Sequence, residues 1–488
     1  MSLLASLLRM RAATTGNAVP TSQLRHLHLS DRPLMMLPLE QTGPAARPLA
    51  VMLGTDPRHP QLLVAPPSGS TAPMLGALAA TVTAYIDEHQ QRSEQIPAGT
   101  NRPARRRYTD APQILVPNPK TVAYLDRLGR DLRFRPADTD IPAQHGVPRL
   151  GQWLTHFADR AEIPGSCALV PLTGFLTMHW ITGQSPLEDE DLALLLAWID
   201  PPRDAASGRD AALAAEHPDT HRPAGPATDA RFDTEQLAPL FEQYARTTAQ
   251  PRALQDLERL LAHYLQPTWD LMWQAYTLLH ALPEADSTAR RWNKERSVFT
   301  DFSTYLIQDG RPQAARDQAV SAAVGLARRE EATAAFDAER AMDDPFARAE
   351  LRTAGRAFAG TVTTVDADRC VRPKARRQWR PMLTVSTTDP VSMEPGQLLA
   401  CHAHRNARYK ICDIAPGSAT TQVQLEITAG MGPESRPNYN VLPDPGDLLT
   451  FTAAPDHYRL PEFPPRNQTP WTHGGPPAEH PDHEGEER

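Results

Sequence analysis

Lysine is scarce in this chain. There are four, Lys120, Lys294, Lys374 and Lys410, so 46 of the 50 basic residues are arginine. None of the four follows a glycine. That excludes a phosphate-binding loop ending GK[ST], whose lysine must reach the nucleotide phosphates. PPSGSTAP, near residue 70, has the glycine and proline flavour of such a loop but neither its lysine nor its spacing. Cysteine is as sparse: Cys167, Cys370, Cys401 and Cys412, irregularly spaced and with no CxxC. A disulfide framework is not expected, and a reducing, cytoplasmic setting is. No apolar run approaches the roughly 20 residues that cross a bilayer, so no membrane partner is expected. The opening MSLLASLLRMR has no charged region ahead of its apolar patch and no clear cleavage site behind it. Residues 1–23 are read as a frayed or docked amphipathic segment. GxSxG and HExxH are absent.

Proline and arginine are abundant instead. The 49 prolines are roughly twice the usual share, which demands extensive loops. An Arg, Ala and Pro bias of this kind is typical of a high-GC bacterial genome. The net charge of −8 argues against wholesale coating of nucleic acid, so any such contact must be local.

With 488 residues the chain is long enough for several cores, and the pattern predicts a multidomain α+β protein. Residues 24–199 read as an α/β domain. LAVML and QLLVA are short strands, and Met74, Leu75, Leu78, Val82, Tyr85 and Ile86 fall at helical spacing. QILV leads to Asn118 as N-cap and Pro119 at the first helical position. ALVPL is a further strand, followed by a helical GFLTMHWITG. Ser185 and Glu188 form a capping box ahead of DLALLLAWID. Whether the strands run parallel is left open. Residues 200–234 read as a Pro/Ala-rich linker. Residues 235–353 read as a helical region, with Leu254, Leu257, Leu261, Tyr264 and Leu265 on one face and Trp269, Met272, Trp273, Tyr276 and Leu279 on another. Pro283 stops that helix and Ser287 caps the next. QAARDQAVSAAVGLARREEATAAFDAERAMDD has only a thin apolar stripe, which suits a two-helix stalk. From residue 354 to 453 the period becomes two. AFAGTVTTV, PMLTVST, KICDI, VQLEIT and LLTFT are five short strands that suggest a small β-barrel, of OB or SH3 type, or a sandwich. Residues 454–488 hold eight Pro and seven acids against three basic residues. They are expected to form a disordered acidic tail.

One stretch stands out chemically. RCVRPKARRQWR, Arg369–Arg380, holds six Lys/Arg, one Trp and no acid. It lies between two barrel strands, at a hairpin tip or loop. Arg372, Lys374, Arg376, Arg377 and Arg380 suit backbone phosphates, and Trp379 suits stacking on a base. The plainer reading is a solvated loop, or one docked on the acidic stalk helix. Arg405, Arg408 and Lys410 make a second basic cluster. Over 354–453 there are 11 basic and 9 acidic residues, so the footprint is a patch rather than a basic domain.

Other groups point to chemistry less directly. Cys401, His402, His404 and Cys412 have the residue types of a zinc site. In extended chain, however, Cys401 and His402 face opposite ways, so no metal is expected. Cys412 is read as a core residue. Asp56 and His59 share a loop between two strands, a place where catalysis is often found and where ordinary turns are too. Cys167 with His156 or His179 has the makings of a nucleophile and base, but apolar surroundings favour packed core. Glu188, Asp189, Glu190 and Asp191 are expected in a first helical turn, favoured by the helix dipole.

A long charged helix, a short helix and then a small barrel resemble the stalk and β-barrel insertion of superfamily 1B helicases, the nonsense-mediated-decay and Smubp type. ERAMDDPFARAELRTAGRAFAGTV carries the resemblance at the junction, and VLPDPGDLLTF at the closing strand. It covers about 314–452, under a third of the chain, and five-stranded barrels have few distinctive residues. In that family the barrel lies near the nucleic-acid channel and modulates binding. The ATPase motor has no counterpart here, so the resemblance implies an accessory part without its motor, one that a partner helicase would supply. The expected function is a non-ATPase nucleic-acid-associated or helicase-associated adaptor, acting on DNA or RNA without a cofactor. The alternatives are a divergent hydrolase or nuclease with its site in the α/β domain, and a purely structural assembly protein.

Overall fold

The computed structural model describes residues 2–463 apart from 43–46, 100–102, 136–145, 218–224, 247–249, 316–318, 373–376, 434, 456–457 and 459–460. The chain is mixed α+β and ends in a closed barrel. Most of the expected acidic tail lies outside the described residues.

The first sheet has five strands: β1 (Leu34–Glu40), β2 (Pro48–Gly54), β3 (Gln61–Val64), β4 (Ile114–Val116) and β5 (Leu169–Pro171). Their order is β3-β2-β1-β4-β5. β1, β2 and β3 pair antiparallel, whereas β1–β4 and β4–β5 are parallel, so the sheet is mixed. The central strand β1 was not among the expected strands. Its sequence LMMLPLE has no alternation because both faces are covered. Leu34 and Met36 enter one core with helices Ala72–Gln90, Pro119–Leu132 and Val147–Ala161. Met35, Leu37 and Leu39 enter the opposite core with helices Leu192–Ile199 and Gln250–His280. Pro38, which would break a central ladder, sits beyond the parallel pairing to β4, which covers only Leu34 and Met35.

The helices expected in a separate region therefore complete the layers of this sheet. The two expected faces of Gln250–His280 belong to one 31-residue helix that continues through Pro267, and both bury against the same core. Helix Thr288–Ile307 sends Phe299 and Leu306 into the other core. The expected linker is partly built in: Gly208–Ala215 is helical, and buried Phe232 stacks on Tyr264 at 3.9 Å. On the opposite face, Pro119–Leu132 and Val147–Ala161 approach closely, since a Cβ on Gly129 would stand 2.7 Å from Thr155 N.

Two local expectations are corrected. Glu188–Glu190 is a 3-10 turn, and Asp191 is the N-cap of helix Leu192–Ile199, accepting from Ala193 N and Leu194 N. The Ser185–Glu188 capping box does form, over that 3-10 turn, while buried Asp189 accepts from Thr182, Gln184 and Arg9. In GFLTMHWITG the helix stops at Leu176, and Trp180–Ile181 pairs with Val19–Pro20. The N-terminal segment is docked: Leu3–Thr15 is a helix capped by Ser2 and pinned by Arg9 to Gln184 O and Asp189.

The thin-striped helix Ala319–Asp343 docks on the body instead of pairing with a second stalk helix. Glu339 meets Arg290 and Arg291, Arg329 meets Glu162 at 3.0 Å, and Phe336 lies 5.0 Å under the Arg291 guanidinium. At its end two consecutive acids hold different partners. Asp343 accepts from Ser287 and from Arg405 of the barrel. Asp344 caps Phe346 N at 2.8 Å and meets His26 Nε2 at 2.9 Å.

The barrel has six strands, not five: β6 (Ala357–Asp366), β7 (Met382–Thr387), β8 (Leu398–Cys401), β9 (Arg408–Pro416), β10 (Thr421–Ala429) and β11 (Leu448–Ala453). The ring runs β6-β7-β10-β9-β8-β11 and closes on β6, every pairing antiparallel. The unexpected member is the four-residue β8. Period-2 alternation fills the interior with Phe358, Val362, Leu383, Val385, Leu399, Tyr409, Ile411, Val423, Leu425, Ile427 and Phe451.

Candidate nucleic-acid interface

The basic stretch folds as a hairpin outside the barrel wall. Cys370–Val371 pairs antiparallel with Gln378–Trp379, between β6 and β7. Its base is braced by one carboxylate. Arg369 Nη1 donates to Glu426 Oε2 at 2.6 Å and to Arg380 O at 2.7 Å. Arg380 N donates back to Arg369 O at 3.0 Å. The Arg380 side chain reaches Thr428 O and Gln378 Oε1, each at 2.8 Å, and passes 4.0 Å from Glu426. Arg380 thus fixes the hairpin to β10.

Beyond this brace, Arg372 and Arg377 are exposed. The Arg377 guanidinium stands 5.1 Å over the Trp379 ring, within cation–π range. Trp379 is half-buried against the barrel core and meets Tyr439 at 6.3 Å. Lys374 and Arg376 lie outside the described residues.

The second cluster divides. Lys410 is exposed, opposite Glu426 in the β9–β10 register. Arg408 is one strand from Arg380: Thr428 gives its carbonyl to Arg380 and its hydroxyl to Arg408 O. Arg372, Arg377, Trp379, Arg380, Arg408 and Lys410 therefore gather on neighbouring elements at one end of the barrel. Arg405 is turned away. It binds Asp343 at 2.9 Å, Met342 O at 2.9 Å and Asp286 at 3.4 Å, and fastens the barrel to the long helix. Its partners lie far back in sequence, which is why spacing alone grouped it with Arg408. Burial would raise the Asp343 carboxyl, but hydrogen bonds from Ser287 and Arg405 hold it below its ordinary range.

The zinc-like residues do not converge, and among the described residues no His/Cys/Asp/Glu group is placed to hold a metal. Cys401 is buried in the barrel, while Cys412 is only half-buried, at a register shift that leaves Ile411 in the core. The reading of Cys412 as core is corrected. His59 is exposed and Asp56 half-buried, and they bond each other at 2.9 Å, with Asp56 also accepting from Arg58 N. That is a closed local turn. Beside it a groove of about 460 Å³ is lined by Arg32, Thr55, Thr81, Tyr85 and Glu88. Its charged groups pair at 3.6 Å, and Tyr85 OH donates to backbone carbonyls.

Cys167 is fully buried, and burial pushes its thiol up to about 12. His156 stacks on Phe302 at 3.9 Å, and burial pushes it down to about 3. His179, with no exposure, is lowered by burial to about 4. These are core groups, and they give an acid sensitivity. Unfolding frees His179 to take up a proton at its ordinary 6.5. Its share of stability is whole above that pH and is lost as pH falls toward 4, by about 1.4 kcal/mol per unit. Denaturant midpoints at pH 7, 5.5 and 4.5 should fall steeply for the natural chain and less for His179→Gln. Parallel trends would contradict this.

Among the described residues, no helix is long and apolar enough to cross a membrane. No family model, curated protein or solved structure matches the chain.

Proposed function

We propose that this protein is a non-ATPase accessory factor that binds nucleic acid through the hairpin end of its barrel and serves a partner motor such as a helicase. The observation that carries the reading is the Arg377–Trp379 pair, held outside the barrel wall by the Arg369–Glu426–Arg380 brace. A guanidinium over an indole joins a phosphate contact to a stacking surface. Arg372, Arg408 and Lys410 widen the positive footprint. The order of long helix, short helix and barrel supports the adaptor role by its likeness to the superfamily 1B accessory module. The choice of DNA or RNA, and the partner, belong to the same proposal.

The test is fluorescence anisotropy with labelled single strand and duplex across a salt series. The natural chain is compared with Arg372→Ala/Arg377→Ala/Trp379→Ala. Log affinity should fall with log salt by about 0.7–0.9 per phosphate contacted. The triple variant should lose affinity and between one and two units of slope. Binding unaltered by the substitutions, or none at low salt, would refute the proposal.

A further inference from the structure

Resting on that reading, we infer that Tyr439 is a second stacking residue, and that the site takes an unpaired base of a single strand in preference to a duplex. Tyr439 was not among the sequence candidates. It opens the 3-10 turn Tyr439–Val441 between β10 and β11. That turn is pinned on its inner side: Val441 is buried in the barrel core and Leu442 packs against it. Asn438 N donates to Met431 O at 2.6 Å, Asn438 Oδ1 accepts from Asn440 N, and Leu442 N donates to Tyr439 O at 3.0 Å. With its backbone held on both sides, the turn presents the Tyr439 ring to solvent at 49% exposure.

The ring does not stand alone. Its centroid is 6.3 Å from that of Trp379, at 66°, and the Arg377 guanidinium lies over the same indole. Guanidinium, indole and phenol follow one another along the outside of the barrel. Two rings at this angle make a corner rather than a slot. A planar base resting on one face directs its edge at the other, an arrangement aromatic pairs favour. In a duplex each base face is covered by its neighbours, so only an unpaired base can use this corner. Every base has such a face, so the corner is indifferent to sequence. Exposed cations stand on the neighbouring elements, Arg372 and Arg377 on the hairpin and Lys410 on β9, to meet the phosphates of a strand whose base stacks here. Charge and aromatic surface together select a single-stranded nucleic acid.

The experiment uses the full chain with labelled oligothymidylate, oligouridylate and a duplex of equal length. Tyr439→Ala should weaken single-strand binding by about 5- to 150-fold, the range for one stacked base, and leave duplex binding unchanged. Tyr439→Phe should restore it, since the face and not the hydroxyl is used. The thymidylate and uridylate arms distinguish DNA from RNA, and preference for either supports the inference. If Tyr439→Ala binds single strands like the natural chain while the hairpin triple variant does not, the corner is overturned and the nucleic-acid reading stands. Duplex binding as tight as single-strand binding overturns it as well. If no probe binds at low salt, the underlying reading has failed. Unchanged thermal midpoints for both Tyr439 variants show that the effect is local.

Discussion

Replacing Glu339 by alanine should cost about 3–5 kcal/mol, the usual penalty for leaving a buried charge without its partner. Glu339 lies on the long helix and accepts from Arg290 at 2.7 Å and from Arg291. The Arg291 side chain is only 9% exposed and also donates to His26 O. Phe336 covers it at 5.0 Å. Without the carboxylate, a guanidinium remains in an apolar seam between the helix and the sheet body. Glu339→Gln keeps the shape and an acceptor and should cost less. Arg291→Met with Glu339→Leu should recover much of the loss, because a packed apolar pair often replaces a buried ion pair without penalty. Urea unfolding followed by circular dichroism reads all three. A loss below about 1 kcal/mol for Glu339→Ala would show that Arg291 finds its neutralising partner elsewhere.

Trp269→Ala should be comparably damaging, about 3–5 kcal/mol, through the cavity it opens. Trp269 has no solvent exposure and sits two residues beyond Pro267 in Gln250–His280. Its ring packs beneath the first sheet, 3.7 Å from where a Gly54 side chain would begin. Its Nε1 donates to Pro57 O at 3.0 Å, so it also anchors the turn carrying Asp56 and His59. Trp269→Phe keeps most of the volume and loses the hydrogen bond, so the ranking should be Trp, then Phe, then Ala. Equal stability for the Phe and Ala variants would mean that the site collapses around the gap.

What the sequence revealed depended on whether the cause was local. Asn118 and Pro119 could be read as a helix start because a cap needs only its next few residues, and Asn118 does accept from Thr121 N. The barrel strands alternate because one face is inside, so five of six were legible. The four residues of β8 are too short for any period to show. β1 was missed because two helical layers erased its alternation and Pro38 argued against a central strand. The hairpin could be located because Arg369–Arg380 lies between two alternating runs. The division of labour within it could not, since the brace depends on Glu426, 57 residues from Arg369. Arg405 was misplaced for the same reason. Tyr439 was hidden among turn formers, because its aromatic neighbour Trp379 is 60 residues away in sequence.

The closure of the barrel limits how anything can recognise it. Each of its strands has a neighbour on both sides, so its wall presents no row of unpaired amides and carbonyls to an incoming strand. A ligand at this end of the molecule must be held by side chains that project from the hairpin, the turns and the outer face of the strands. Recognition of that kind is modular. It responds to ionic strength, it can be removed one side chain at a time, and it leaves the wall beneath intact.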